Sequence, residues 1–216
     1  MLYLYSKLVA YAPLPNTMIN SPAMQALRTY IEHYTSSPLS DADFELISRA
    51  FTPKKLRRKQ YLLQEGEVCK YFAFVLKGAL RQYSVDDKGV EHIVHFAVEN
   101  WWIGDRESFV MLTPSRYNID VLEEAEMLLI TNAQLQELIS TVPAIAQMVR
   151  ELDQRNFIAT QKRLHASIGY TAEERYAELK QVHPEFLQRF PQHMLASYLG
   201  ISPETLSRVR HKSLRQ

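Results

Sequence analysis

At 216 residues with 46% hydrophobic content, the chain is long enough to bury a sizeable core and too apolar to be a mainly disordered polymer. A formal net charge of +1 excludes nucleic-acid binding by whole-molecule electrostatics, and the single cysteine, Cys69, excludes an internal disulfide framework and a cysteine-ligated zinc or iron–sulfur site within one subunit. No apolar run has the length that crosses a bilayer, and the opening Met1 to Lys7 lacks the pattern of a secretory signal, so a cytoplasmic protein with no membrane partner is expected.

Residues 1–17 are rich in tyrosine and leucine and end in Pro13-Leu14-Pro15-Asn16 before Met18, which reads as an alternative start or a loosely held extension. Ser40-Asp41-Ala42-Asp43 offers a capped helix start, with Phe44, Ile47 and Phe51 at helical spacing behind it. From about Leu56 to Ile130 the texture changes to short apolar or aromatic runs: Tyr61 to Leu63, Tyr71 to Leu76, Ala79 to Val85, His92 to Val98 and Ile119 to Leu122. Between them stand Gln64-Glu65-Gly66-Glu67, Lys77-Gly78, Asp86-Asp87-Lys88-Gly89 and Leu112-Thr113-Pro114-Ser115. Short strands punctuated by glycine and aspartate turns predict an antiparallel barrel or jelly roll.

Thr131-Asn132-Ala133-Gln134 is a capping box whose helix passes Leu138 and Ile139, breaks at Pro143 and resumes as a long segment to about His165. Along it Ile145, Val149, Leu152, Asn156 and Ala159 fall at alternating four- and three-residue steps, the seam a paired helix needs, with Asn156 placed to fix register between two copies. Self-association through this seam is the expectation. Thr171-Ala172-Glu173-Glu174 starts the next helix.

The stretch from Gln192 to Arg210 predicts a helix-turn-helix. Ala196 lets a second helix cross closely, and Gly200 permits the left-handed backbone that ends the first. Ser202 caps the second helix, Pro203 takes its first position, and Glu204 lies in its positive first turn. Leu206 and Val209 face inward, while Glu204, Ser207, Arg208 and Lys212 face out. Such a second helix enters the major groove, where arginine grips guanine in a bidentate way, so double-stranded DNA is the expected partner of Ser202, Pro203, Glu204, Ser207, Arg208 and Lys212. Arg208, Arg210, Lys212 and Arg215 make this end basic, opposed only by Glu204.

Two rival readings come from other classes. His92 and His95, with Glu91 nearby and Asp105 downstream, suggest a barrel metalloenzyme, yet residues three apart on a strand point to opposite faces. With no nucleophile triad, phosphate loop or paired catalytic carboxylates, neither an enzyme nor a metal is expected. The other rival is a β-roll sensor or interaction module whose terminal helices act through protein partners rather than DNA.

The order of lead-in helix, β-roll, long helix and terminal helix-turn-helix resembles the Crp/Fnr family of bacterial transcription regulators, from about Met24 to Gln216. Local marks are Gly66 and Gly78 bracketing Tyr71-Phe72-Ala73-Phe74-Val75-Leu76, Gly89 in its turn, Ile103-Gly104-Asp105, and Ser202-Pro203-Glu204-Thr205-Leu206-Ser207-Arg208. The resemblance implies an α+β fold: an N-terminal double-stranded β-helix or jelly-roll effector domain, a long dimerisation helix and a small C-terminal all-α helix-turn-helix domain. The expected divisions are an extension over 1–23, a cyclic-nucleotide-binding-like β-roll over 24–142, the dimerisation helix over 143–168, and a DNA-binding domain over 169–216 lacking the family's β-hairpin wing. Further partners it implies are RNA polymerase and a small effector. In nucleotide-binding members a glutamate holds the ribose hydroxyl and an arginine the cyclic phosphate. Here Gly104 and Asp105 occupy the first slot, Ser115 the second, with Arg116 beside it and Trp101 or Trp102 expected at the pocket mouth. Cyclic AMP is therefore not expected, and either an unidentified ligand or a ligand-free pocket is consistent with these residues. The cysteines of the family's oxygen-sensing branch have no counterpart beyond Cys69.

Overall fold

The computed structural model describes residues 21–35 and 38–213; the extension expected over 1–17 and Arg215 of the basic end lie outside the described residues. The elements run α1 (Pro22–His33), α2 (Asp41–Ala50), β1 (Thr52–Leu56), β2 (Tyr61–Leu63), β3 (Tyr71–Val85), β4 (Glu91–Ala97), β5 (Trp102–Ile103), α3 (Arg106–Met111), β6 (Asn118–Thr131), α4 (Asn132–Thr141), α5 (Pro143–Gly169), α6 (Ala172–Val182), α7 (Pro184–Arg189), α8 (Gln192–Leu199) and α9 (Pro203–Ser213). The expected caps are formed. The Ser40 hydroxyl accepts from the Asp43 amide at 3.1 Å, and Thr131 and Thr171 each close a reciprocal capping box with the residue three positions on.

All strand pairs are antiparallel, in the order β1-β6-β3-β4 with β2 on β6 and β5 on β3. Strand alternation assigns the faces. On β6, Ile119, Val121, Ala125, Met127 and Leu129 fill the interior of the roll, while Leu128 and Ile130 face a layer made by α1, α2, α4 and the start of α5. β3 begins with the same alternation, Ala73 and Val75 inward and Phe74 outward, and ends with the opposite one, Leu80 inward and Ala79 and Tyr83 outward. An irregular register between Val75 and Leu80 makes the change.

Lys77-Gly78 is therefore no turn between two strands, as the sequence suggested, but a bulge inside one long strand. Gly78 holds φ at +93°, and a Cβ there would lie 2.4 Å from the Glu124 carbonyl oxygen and 2.8 Å from the Ala125 Cα. The bulge lets the outer face of β3 serve two neighbours in succession. Its first half packs on the N-terminal helices, and its second half packs on α6 to α9 through Phe96, Tyr176, Phe186, Phe190, Leu195 and Leu206.

A buried charge network stands on the same outer face. Arg81 donates to both Asp120 oxygens, at 2.8 and 3.0 Å, and to Glu91, with its guanidinium 4.1 Å above the Tyr83 ring. The side chains of Arg81 and Asp120 retain only 8% and 11% of their exposure.

Candidate nucleic-acid interface

α8, the turn and α9 have the geometry that the local residues dictate. Ala196 is fully buried, Gly200 takes φ +66°, and the Ile201 and Gly200 amides donate to the Ala196 and Ser197 carbonyls, each at 3.0 Å, closing the end of α8. Arg175 of α6 adds a bond to the Leu199 carbonyl at 2.8 Å, a support the sequence did not announce. The Ser202 hydroxyl accepts from the Thr205 amide at 3.2 Å, so it caps α9. Leu206 and Val209 are buried; Ser202, Pro203, Glu204, Arg208 and Lys212 are exposed, and Ser207 is half-buried. Arg208 donates to the Thr205 hydroxyl at 3.2 Å, and the Glu204 carboxyl is held below the usual range, first by its own backbone N–H, then by Ser202, with the Arg208 charge adding. Lys212 pairs with Glu173 at 3.5 Å across 66% and 51% exposed side chains, a contact weak enough to exchange for a phosphate. Among the described residues no strand follows α9.

The helix-turn-helix is bound firmly to the β-roll of its own subunit. Ser197 on α8 acts on the edge of β4, accepting from the Ile93 amide and donating to the Glu91 carbonyl, both at 2.9 Å. Arg163 of α5 donates to the Val94 carbonyl and, at 3.2 Å, to that of Tyr198, lying 4.1 Å over the Tyr198 ring. Phe96 and Phe190 stack with centroids 4.1 Å apart. Arg189, closing α7, donates to Glu99 at 2.6 and 2.8 Å and to Glu123 at 2.8 and 2.9 Å, while Glu99 also accepts the Gly78 amide at 2.8 Å. This clamp lowers the Glu99 carboxyl to about 2, Arg189 being the largest cause.

His95 lies in this junction beside Trp101, whose other side meets His183 and Phe186. Burial, and next the Arg163 charge, push its imidazole down to about 4. The unfolded chain takes up that proton near pH 6.5, so folding stability falls as pH drops through 6.5 and levels off near 4. Chemical denaturation from pH 7.5 to 4 should show this decline, about 3 kcal/mol in all, and His95→Gln should flatten it. Equal slopes in the two proteins would place the proton uptake elsewhere.

The suspected effector slot is occupied by its own polar groups. Asp105 is buried; one carboxylate oxygen accepts from the Glu107 amide at 3.1 Å and caps α3, and the other accepts the Ser115 hydroxyl at 2.7 Å. Ser115 is buried and also accepts the Tyr117 amide at 3.0 Å. Arg116 points to solvent. Gly104 is pressed against Phe72, 2.4 Å from where a Cβ would sit. The buried cation among the described residues is Arg81, which is engaged by Asp120 and Glu91. These residues do not fit a cyclic phosphate, which needs a fixed cation at Ser115's place. Beside the pair, a recess of about 430 Å³ is lined by Leu62, Val68, Cys69, Tyr71 and Ile119 with Glu67 and Lys70. Neither tryptophan guards it, contrary to expectation: Trp102 packs among Tyr30, Phe51 and Phe74, and Trp101 lies in the junction with α7. His92 bonds Asp86 at 2.9 Å, and among the described residues no three histidine, cysteine or acidic side chains gather around a common point.

A family model described as the cyclic nucleotide-binding domain matches residues 53–142, the stretch from β1 to the end of α4. The chain is 24% identical over 180 residues to the transcriptional activator protein Anr of Pseudomonas aeruginosa, covering 76% of this chain and 70% of that one. FixK2 of Bradyrhizobium japonicum superposes with a TM-score of 0.62 at 18% identity, over 75% of this chain and 83% of its own. A mutant of CooA from Carboxydothermus hydrogenoformans does so with 0.65 at 16%, over 85% and 83%. The chain shares the fold of these proteins and carries a cyclic nucleotide-binding domain match over its roll.

The long helix offers a different stripe to the outside from the one the spacing suggested. Ile145 is buried in its own subunit's core, and Val149 and Leu152 pack against that core; Asn156 and Ala159 are exposed. From Gln154 to His165 every residue of α5 is exposed, and Phe157 (64%), Leu164 (57%) and Ile168 (79%) form an apolar stripe at seven- and four-residue steps. The inward and outward stripes share one period and differ only in phase, so spacing alone does not separate them.

Proposed function

We propose that the chain is a homodimeric, DNA-binding transcription regulator of the cytoplasm that works without a catalytic step. The observation that carries this reading is the open outer face of α9: Glu204 and Arg208 exposed, Ser207 half-buried beside them, on a helix whose Leu206 and Val209 are anchored in a core shared with the β-roll. Arg208 would read a base edge, with Glu204 and Ser207 contacting neighbouring bases, while Ser202, Pro203 and Lys212 approach the phosphates. Two such helices must stand about 34 Å apart to enter successive major grooves. The bare stretch of α5, with Phe157, Leu164 and Ile168, is the surface a second copy would cover, and Asn156 lies beside it. Asp105 and Ser115 already satisfy each other, so that slot offers a cyclic phosphate no counter-charge, and an effector of another kind or none is consistent with it. RNA polymerase is the partner through which the bound dimer would alter transcription.

Titration of the purified protein with duplex from its own upstream region, over a range of salt, tests the reading: it expects tight binding with a steep salt dependence and a stoichiometry of two chains per site. Arg208→Ala should weaken specific binding by about 1–3 kcal/mol and relax base preference at one position per half-site. Unchanged affinity and preference would remove Arg208 from the interface.

A further inference from the structure

We propose that Arg163 is the positioning residue that fixes the separation of the two reading helices, and with it the half-site spacing of the DNA this protein accepts; this rests on the dimeric DNA-binding reading above. The first part of α5 is packed down, with Ile145 and Met148 in the core beneath the roll and Val149 and Leu152 against it. From Gln154 to His165 the helix then runs bare, so that Arg163 lies about 16 Å beyond Leu152 at the helical rise of about 1.5 Å per residue. Near the start of this stretch Arg155 lies 5.0 Å over the Tyr34 ring. Among the described residues, the side-chain hydrogen bonds that join the stretch to another element are those of Arg163.

Its guanidinium donates to the Val94 carbonyl, to that of Ile93 at 3.4 Å and to that of Tyr198 at 3.2 Å, and it lies 4.1 Å over the Tyr198 ring. Val94 is the extra residue of a bulge. Gln82 faces His95 and Tyr83 faces Ile93, which leaves Val94 between them with no partner in the ladder and its carbonyl free for a donor from outside the sheet. Tyr198 stands two residues before Gly200, at the end of α8 where the chain turns to aim α9. One planar fork therefore ties the bare stretch of α5 to the outer strand β4 and to the helix-turn-helix at once. A lysine ammonium, a compact point charge without the fork, does not span these three carbonyls. The tie matters because a second copy seated on Phe157, Leu164 and Ile168 rests on this same stretch, so the angle between the stretch and its own roll relates one α9 to the other. With each α9 about 17 Å from the axis of the pair, a tilt of about 10° at the tie moves it by about 3 Å, close to the ~3.4 Å rise of one base pair.

The test measures binding of the wild type, Arg163→Gln and Arg163→Lys to four duplexes built on the operator that the wild type protects: its native spacing, its half-sites moved apart or together by one base pair, and a single half-site. Each one-base-pair change shifts a half-site by about 3.4 Å and turns it by about 35°, so the wild type should prefer the native spacing by about tenfold or more. Arg163→Gln should lose about tenfold at the native spacing and bind the altered spacings much as the wild type does, which removes most of the preference. Its binding of the single half-site, and its self-association measured by sedimentation, should be unchanged. Arg163→Lys should follow the glutamine variant, and carries the comparison if that variant does not fold. A wild-type spacing preference in the variants would overturn the proposal. So would a loss shared equally by all four duplexes, which marks a general loss of charge or stability, or weakened self-association, which places Arg163 in the pairing surface. A wild-type protein that does not pair, or binds none of the duplexes, would instead bring down the regulator reading itself.

Discussion

Arg81→Ala is expected to destabilise the protein by about 3–5 kcal/mol, a large part of the stability of a domain this size. Its guanidinium makes two bonds to Asp120 and two to Glu91 while lying over Tyr83, with 8% of the side chain exposed. Removing the cation leaves the Asp120 carboxylate buried and unpaired; removing both charges together avoids that penalty. Arg81→Met combined with Asp120→Leu should therefore recover much of the loss, since apolar replacement of a buried pair is often neutral. Chemical denaturation of the wild type, both single variants and the double variant would measure the coupling. Additive effects within about 0.5 kcal/mol would mean that the pair does not act as a unit.

Gly78→Ala should cost about 3 kcal/mol or more and weaken DNA binding as well. The added methyl would meet the Glu124 carbonyl oxygen at 2.4 Å and the Ala125 Cα at 2.8 Å, both backbone atoms of β6 that cannot rotate away, and φ +93° is itself unfavourable to alanine. The least disruptive relief is to move β3 off β6 at the bulge. That shift displaces the Gly78 amide from Glu99, and Glu99 is one of the two carboxylates that hold Arg189. The damage should thus reach α7 and the helices behind it. Hydrogen exchange would show faster amide exchange in Phe186 to Leu199 of the variant; a destabilised variant with unchanged exchange there would confine the strain to the roll.

How legible this molecule is in its residues depends on the range of the interaction involved. Ser40, Thr131, Thr171 and Ser202 cap helices through bonds to amides three residues away, and Gly200 ends α8 through its own backbone, so each can be read from a few neighbouring letters. The roll was legible as a kind of fold, but Lys77-Gly78 passed for a turn because a glycine in a bulge and a glycine in a hairpin have the same local chemistry; the difference lies on β6, more than forty residues away. α7, six residues beginning with Pro184, was too short for its periodicity to register. At the effector slot, sequence placed Asp105 and Ser115 in their positions and found the missing arginine. It did not foresee that the two would bond to each other, because that needs the distance across the roll.

The apolar layer running unbroken from Phe96 on β4 through Phe186 and Phe190 into Leu195 and Leu206 has a bearing on how this molecule can be divided. Two halves joined by a tether can be separated and still keep their shape, whereas halves that share an interior melt together. Severed near Gly169, the C-terminal segment would leave those phenylalanines bare to water, and the roll would lose the cover over Ala79 and Tyr83. The orientation of the reading helix is accordingly inherited from the roll, and swapping that segment for a homologous one would require the floor beneath it to be exchanged too.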